Sequence, residues 1–238
     1  MPLHITPAPA SAAELIGQFK LWAGWSGHAV TLDTETTDLD GEVIELAIVR
    51  VHDGHVLFDE RFRPVHPVTP GAQAVHGITT EELQDCPTIW DRWPAIRYAL
   101  LGSVTQRVLI YNREFDLRAL CRSLDLARPE WFANPDPATN SPSAGDPYSA
   151  DYWTYGRISD RARCVMESFA PLAGAYSEYH GNYRWARLTD ACAQMGVDLS
   201  DLRPHSAVGD ALATARLIKA VAAADPAAYP WIGQEGEA

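Results

Sequence analysis

Between His28 and Phe62 the chain carries three short apolar segments separated by turn residues. His28–Thr34 is the first, rich in β-branched residues, and Asp38-Leu39-Asp40-Gly41 then reads as a tight reversal. Val43–Val51 is almost wholly apolar apart from Glu45, and Asp53-Gly54 separates it from Val56–Phe62. Three strands joined by two tight turns predict an antiparallel meander. Glu45, in the middle of an apolar strand, reads as a structural carboxylate, set at an edge or buried and hydrogen-bonded.

Helical periodicity dominates elsewhere. Ala12–Trp22 predicts a helix packed on the domain edge, after a Pro/Ala-rich opening. Residues 63–80 read as a Pro/Gly-rich connection, with Thr79 or Thr80 capping a helix that carries Glu81 and Glu82 in its first turn. That helix is expected to run towards Leu101 with a break near Pro94. Arg107–Tyr111 predicts a short buried strand, and Asn112 an N-cap for a helix with Leu117, Leu120 and Leu124 on one face. Arg163–Phe169 reads as another strand. Tyr183–Met195 predicts a helix with Trp185, Leu188, Ala191 and Cys192 on one face. A last helix after Pro204 is expected to bury Val208, Ala211, Leu212, Ala215 and Ile218. Residues 127–160, rich in Pro, Asn, Ser, Gly and Asp, read as an insertion within one domain. The expected organisation is an N-terminal extension at 1–27, a domain at 28–224 and a short acidic tail at 225–238.

Composition narrows the class without choosing a function. A 238-residue chain with 47% hydrophobic and 21% charged residues suits one large globular domain. No apolar run approaches the ~18–20 residues needed to span a membrane, and the first residues lack a secretory pattern. Cys86, Cys121, Cys164 and Cys192 show no CxxC spacing, so neither a zinc site nor a disulfide framework is suggested, and a reducing cytoplasm is expected. The net charge of -12 argues against a broad basic surface for gripping duplex phosphates. Either the chain does not touch nucleic acid, or it engages a short stretch through metal ions and a few local contacts.

Candidate chemistry begins at Val30-Thr31-Leu32-Asp33-Thr34-Glu35-Thr36-Thr37. Residues two apart on a strand share a face, so Asp33 and Glu35 project together while Val30, Leu32 and Thr34 turn the other way. Two like charges side by side gain nothing unless a cation lies between them, and Mg²⁺ or Mn²⁺ take oxygen ligands. Metal binding and a strand running out into a polar turn both fit this stretch taken alone. Asp116 falls in the first turn of the Asn112 helix, just past a strand end. It either stabilises a helix start or joins a site there. In His205-Ser206-Ala207-Val208-Gly209-Asp210, a regular helix would set His205 and Asp210 roughly 140° apart. They converge only if His205 lies in the loop before the helix and Asp210 in its first turns. Histidine is the residue type suited to general-base work near neutrality.

Taken together, Asp33, Glu35, Asp116, His205 and Asp210 resemble the DEDDh 3′→5′ exonucleases, the family of the proofreading subunit of bacterial DNA polymerase III. Leu32-Asp33-Thr34-Glu35-Thr36-Thr37 matches the family's DxETT pattern, Tyr111-Asn112-Arg113-Glu114-Phe115-Asp116 its N-x-x-F-D core, and His205–Asp210 its H-x-A-x-x-D. Val75-His76-Gly77-Ile78-Thr79 is similar to the segment following the third strand, and Tyr179–Trp185 to a stretch of stand-alone and phage-type relatives. Tyr111 stands where the family often has His, Arg113 where it often has a small residue, and the insertion is longer than a minimal member requires.

The resemblance implies an α/β, ribonuclease H-like fold, a mixed sheet of about five strands with helices on both faces. It implies two divalent cations, Mg²⁺ or Mn²⁺, about 3.5–4 Å apart and held by Asp33, Glu35, Asp116 and Asp210, with His205 as general base. The implied reaction hydrolyses the 3′-terminal phosphodiester of single-stranded DNA or frayed 3′ ends and releases nucleoside 5′-monophosphates. By family analogy Thr36, Thr37 and His76 touch the terminal nucleotide, while Phe115 reads as core. Nucleic-acid 3′ ends are the implied partner, and no membrane partner is. The short tail favours stand-alone action over a DNA polymerase partner. An RNA-trimming exoribonuclease and a non-catalytic nucleic-acid-binding or polymerase-accessory module are the competing readings.

Overall fold

The computed structural model describes residues 11–24, 28–102, 106–127 and 156–233. Strands β1 (Ala29–Thr36), β2 (Val43–Arg50) and β3 (Val56–Arg61) form the expected meander, with β1–β2 and β2–β3 antiparallel. Strands β4 (Arg107–Ile110) and β5 (Ala162–Cys164) add in parallel on the other side, giving the order β3-β2-β1-β4-β5. The result is a mixed five-stranded sheet with helices on both faces, as the resemblance implies.

Side-chain alternation on β1 and β4 sorts the two layers. Val30, Leu32, Val108 and Ile110 face one side, where helices α3 (Ile89–Leu101) and α4 (Arg113–Ala127) bury Trp93, Ile96, Leu117, Leu120 and Leu124 against them. On the opposite side, Ala47 and Val49 of β2 pack against Ala207 and Ala211 of the last helix, α7 (Ala207–Ala222). Thr31, on that same face of β1, donates from Oγ1 to the Ala211 carbonyl at 2.8 Å and pins α7 to the sheet. Helix α1 (Ala12–Gly24) lies beyond, its Ile16, Phe19 and Trp22 buried with Leu217 and Val221. These faces match the apolar spacings of the sequence.

Several elements differ from expectation. The helix expected from Thr79 or Thr80 is only a 3₁₀ turn at Glu81–Leu83. The true α3 begins after Thr88, which forms a capping box with Asp91. Pro94 lies inside α3 without ending it, because the buried stripe Ile89, Trp93, Ile96 and Leu100 holds the helix on the sheet. Within the supposed connection, Thr69 caps a short helix α2 (Pro70–His76) that stops at Gly77 in a left-handed conformation. The strand expected over Arg163–Phe169 ends at Cys164. Val165, Phe169 and Leu172 instead share one face of α5 (Val165–Ala173), because a short apolar run packs as well on a helix as on a strand.

A two-stranded hairpin, β6 (Tyr176–Ser177) and β7 (Asn182–Tyr183), precedes α6 (Leu188–Gln194). This helix is shorter than expected: Ala191 and Cys192 are buried, whereas Trp185 lies outside it and is exposed. In α7, Ala211, Ala215 and Ile218 are buried as expected, and Val208 and Leu212 are partly so. Most of the expected insertion at 127–160 lies outside the described residues; within it, residues 156–161 are helical and Ile158 is buried. The chain after α7 folds back, burying Ile232 and donating from Trp231 Nε1 to the Pro171 carbonyl at 2.9 Å. No helix among the described residues is long and apolar enough to cross a membrane.

Candidate active site

Strand β1 outruns its parallel neighbour. Its pairing with β4 ends at Leu32–Ile110, so Asp33, Thr34 and Glu35 project past the end of β4 while β2 still supports them on the other edge. Carboxyl ends of parallel strands are where open α/β sheets present their sites. Alternation sends Asp33 and Glu35 towards the α7 layer. There Asp210, in the first turn of α7, brings a carboxylate oxygen within 4.8 Å of one from each.

Asp116 arrives from the opposite layer, in the first turn of α4, and is buried. Its Oδ1 accepts a hydrogen bond from Thr34 Oγ1 at 2.8 Å. It therefore stands outside the three-oxygen group, yet it exerts the largest charge effect on Asp33. Thr34 is thus not only a core-facing residue: its hydroxyl aims the fourth carboxylate.

His205 occupies the turn before α7, exposed, with φ at 53°. That left-handed conformation costs a non-glycine residue about 1–2 kcal/mol. Ser206 caps the helix, accepting from Gly209 N at 3.3 Å and donating to the Arg203 carbonyl at 2.9 Å. Gly209 lets this turn fold tightly onto the helix, since a Cβ there would sit 2.2 Å from the Arg203 carbonyl oxygen. His205 and Asp210 thereby meet the loop-then-first-turn condition that the sequence set for them.

Burial and crowding load the site with repulsion. Asp33 is raised well above the usual carboxylate range by desolvation, then by Asp116, Asp210, Glu35 and Glu45. Desolvation, Asp210, Glu45 and Asp116 push Glu35 up to about 8 against the opposing charge of Arg203. Asp116 is pushed up to about 7 by desolvation, with the Thr34 hydrogen bond opposing. Asp210 is raised by burial and held back by the His205 ring and main-chain amide. Four carboxylates gathered in this way, all oxygen donors, fit hard divalent cations such as Mg²⁺ or Mn²⁺.

A carboxyl group that holds its proton more tightly folded than unfolded favours the fold at low pH, and that advantage is lost as pH rises. In EDTA, the thermal midpoint is expected to fall as pH is raised from about 4.5 to about 8, the interval over which Glu35 is shifted. Saturating Mn²⁺ should remove most of the slope. Differential scanning calorimetry would show this, and a midpoint that is flat or rising across the interval in EDTA would contradict it.

Other residues support the cluster. Glu45 lies directly across from Glu35 in the β1–β2 register. It is buried, accepts from Arg61 Nε at 2.9 Å, and accepts the Ala207 N–H at 2.8 Å. The structural reading of Glu45 is therefore a specific one: it clamps the N-terminus of α7, and with it Asp210, to β2. Arg203, not singled out from the sequence, donates to the His76 carbonyl at 3.1 Å.

Thr36, Thr37 and His76, the residues expected to touch the terminal nucleotide, are buried with their polar atoms engaged internally. Thr36 Oγ1 donates to the Asp38 carbonyl at 2.7 Å, and Thr37 Oγ1 accepts from Glu42 N at 2.9 Å. His76 Nδ1 accepts from Ile78 N at 3.0 Å, which leaves Nε2 to donate to the Thr36 carbonyl at 3.2 Å. Desolvation lowers the His76 pKa, in keeping with this neutral form. These residues shape the turn after β1. Phe115 is half-buried rather than part of the core.

Residues 30–123 match the family model described as RNase_T, exonuclease. Over 196 residues the chain is 28% identical to the "Uncharacterized exonuclease CP81" of Escherichia phage 186, spanning 81% of this chain and 87% of that relative. It is 36% identical over 91 residues to "Exodeoxyribonuclease 10" of Escherichia coli strain K12, which covers 37% of this chain and 39% of the relative. The solved structure of exonuclease X in complex with 5′ overhanging duplex DNA superposes with a TM-score of 0.51 at 21% identity, covering 81% of this chain and 90% of that one. Fold and carboxylate cluster define a ribonuclease H-like exonuclease. Within that class the match over residues 30–123 and the ordered motifs support a DEDDh-type 3′–5′ exonuclease.

Proposed function

We propose that the chain removes nucleotides one at a time from the 3′ end of single-stranded or frayed DNA, with Asp33, Glu35, Asp116 and Asp210 holding two divalent cations, Mg²⁺ or Mn²⁺. The observation that carries this is the meeting of carboxylates from both sides of the sheet at the free end of β1, with His205 on the turn that leads to Asp210. When bound, the cations supply positive charge at the scissile phosphate and favour ionisation of the attacking water. Asp33 and Glu35 present their carboxylates from the rigid centre of the sheet. Asp210 closes the group from α7, and Thr34 fixes Asp116 on the other side of the strand by a hydrogen bond. His205, exposed at the mouth, accepts the proton of the attacking water on a ring nitrogen as the new P–O bond forms. The bond between phosphorus and the 3′ oxygen breaks and the departing oxygen takes a proton from solvent water, giving a nucleoside 5′-monophosphate and a strand one residue shorter with a free 3′ hydroxyl. Local charge at the metal site also reconciles nucleic-acid chemistry with a net charge of -12. The relationship to an exodeoxyribonuclease supports DNA over RNA.

Purified protein with Mn²⁺ or Mg²⁺ and matched 3′-labelled DNA and RNA oligonucleotides tests the reading. Stepwise release of deoxynucleoside 5′-monophosphates, stopped by EDTA and slower on RNA, is expected. Metal-dependent binding without cleavage would favour a non-catalytic module instead, and faster trimming of RNA would reassign the substrate.

A further inference from the structure

The hairpin between α5 and α6 exposes aromatic rings that the core does not use. Tyr179 at its tip is 92% exposed, Trp185 just after it 67%, and Tyr176 45%. Its base is fixed: Tyr176 and Tyr183 pack edge to face, Arg184 N donates to the Ala175 carbonyl at 2.8 Å, and Gly174 lies against the Trp231 ring. These aromatics are therefore presented on a braced support.

Its position is defined by two connections to the active-site end of the sheet. Tyr111, which directly follows β4, donates from its hydroxyl to the Ala186 carbonyl at 2.8 Å. Trp185 and Arg187 flank that carbonyl and are exposed. Further along the same segment, α6 packs on α7, and buried Cys192 donates from Sγ to the Ala213 carbonyl at 3.8 Å. The chain from Trp185 to Cys192 thus runs from beside Tyr111 to the α7 helix that carries Asp210 in its first turn.

Charge adds a direction. Residues 176–187 carry Arg184 and Arg187 against the single acidic residue Glu178, a local excess of positive charge in a chain of net charge -12. Neither arginine is held in an ion pair among the described residues. Exposed rings offer stacking faces to unpaired bases, and neighbouring arginines suit the phosphates between them.

We infer that this hairpin, through Tyr179, Trp185, Arg184 and Arg187, holds the unpaired nucleotides upstream of the 3′ terminus while that terminus occupies the carboxylate site. The inference rests on the exonuclease reading for its direction, and it makes strand length a determinant of efficiency. Base–aromatic stacking contributes about 1–3 kcal/mol per base, so each lost ring is expected to weaken binding of a decamer roughly tenfold.

The test compares Tyr179→Ala, Trp185→Ala and Trp185→Phe with the unaltered chain. Binding of a fluorescein-labelled DNA decamer is measured by anisotropy in an Asp33→Asn background, and kcat/KM on decamer and dinucleotide in the active background. Both alanine variants should raise the decamer Kd about tenfold and lower the ratio of decamer to dinucleotide kcat/KM, while Trp185→Phe restores most of both. An unchanged Kd and ratio would overturn the inference and leave these rings as a docking face for another protein. A chain that cleaves no nucleic acid but whose decamer binding is weakened by these substitutions would refute the exonuclease reading and keep the hairpin as a strand-binding surface.

Discussion

Replacing Asp33 by asparagine is expected to lower mononucleotide release at least ~10³-fold while making the metal-free protein more stable. The two effects have one cause. Asp33 is desolvated and crowded by Asp116, Asp210, Glu35 and Glu45, with no cationic side chain among its principal influences. Asparagine keeps the shape and removes the charge, so repulsion is relieved and the thermal midpoint in EDTA rises, about 2–4 °C for each kcal/mol released in a chain of this size. The same change deletes a ligand, so the stabilisation conferred by Mn²⁺ shrinks. Activity assays alongside calorimetry with and without Mn²⁺ check both halves. Retention of activity within tenfold, or an unchanged response to Mn²⁺, would remove Asp33 from the site. This is the trade between stability and function expected where like charges are gathered for a cofactor.

The His205→Ala substitution is expected to reduce kcat by roughly 10²–10⁴-fold while leaving the Mn²⁺-induced rise in thermal midpoint and the decamer Kd close to unaltered values. The side chain is exposed on the turn before α7 and contributes no packing that its loss would undo. Its backbone, however, holds a φ of 53°, and alanine tolerates that region poorly. His205→Asn separates the two effects, because asparagine accepts the left-handed conformation but cannot serve as an equivalent base. Equal loss of kcat in both variants, with the turn preserved in the asparagine variant, assigns the loss to proton acceptance. Turnover within threefold of the unaltered chain in either variant would end the general-base assignment.

Legibility varied with the range of the signal. The meander, β4, α4 and α7 were readable because each is a run of local periodicity bounded by its own turn or cap residues. The misplaced start of α3 shows the limit. Thr79-Thr80-Glu81-Glu82 carries good local capping chemistry, but Thr88 and Asp91 carry it too, and only the packing of Ile89, Trp93 and Ile96 on the sheet decided between them. α2 was signalled by Thr69-Pro70 and Gly77 and obscured by the Pro/Gly content around it.

The same division runs through the site. Sequence alone determined that Asp33 and Glu35 share one face of a strand and that His205 must lie outside the helix carrying Asp210, since both follow from the periods of the regular structures. Ordered motifs then tied those residues to Asp116. Tertiary structure decided what no spacing could. It set Asp116 across the sheet on the Thr34 hydroxyl, committed Thr36, Thr37 and His76 to the turn after β1, and used Glu45 to clamp α7 beside Glu35. Those contacts join residues far apart in the chain, and whether a hydroxyl or imidazole is spent inside the fold or left for a ligand depends on partners that only the packed sheet and helices bring within hydrogen-bond reach.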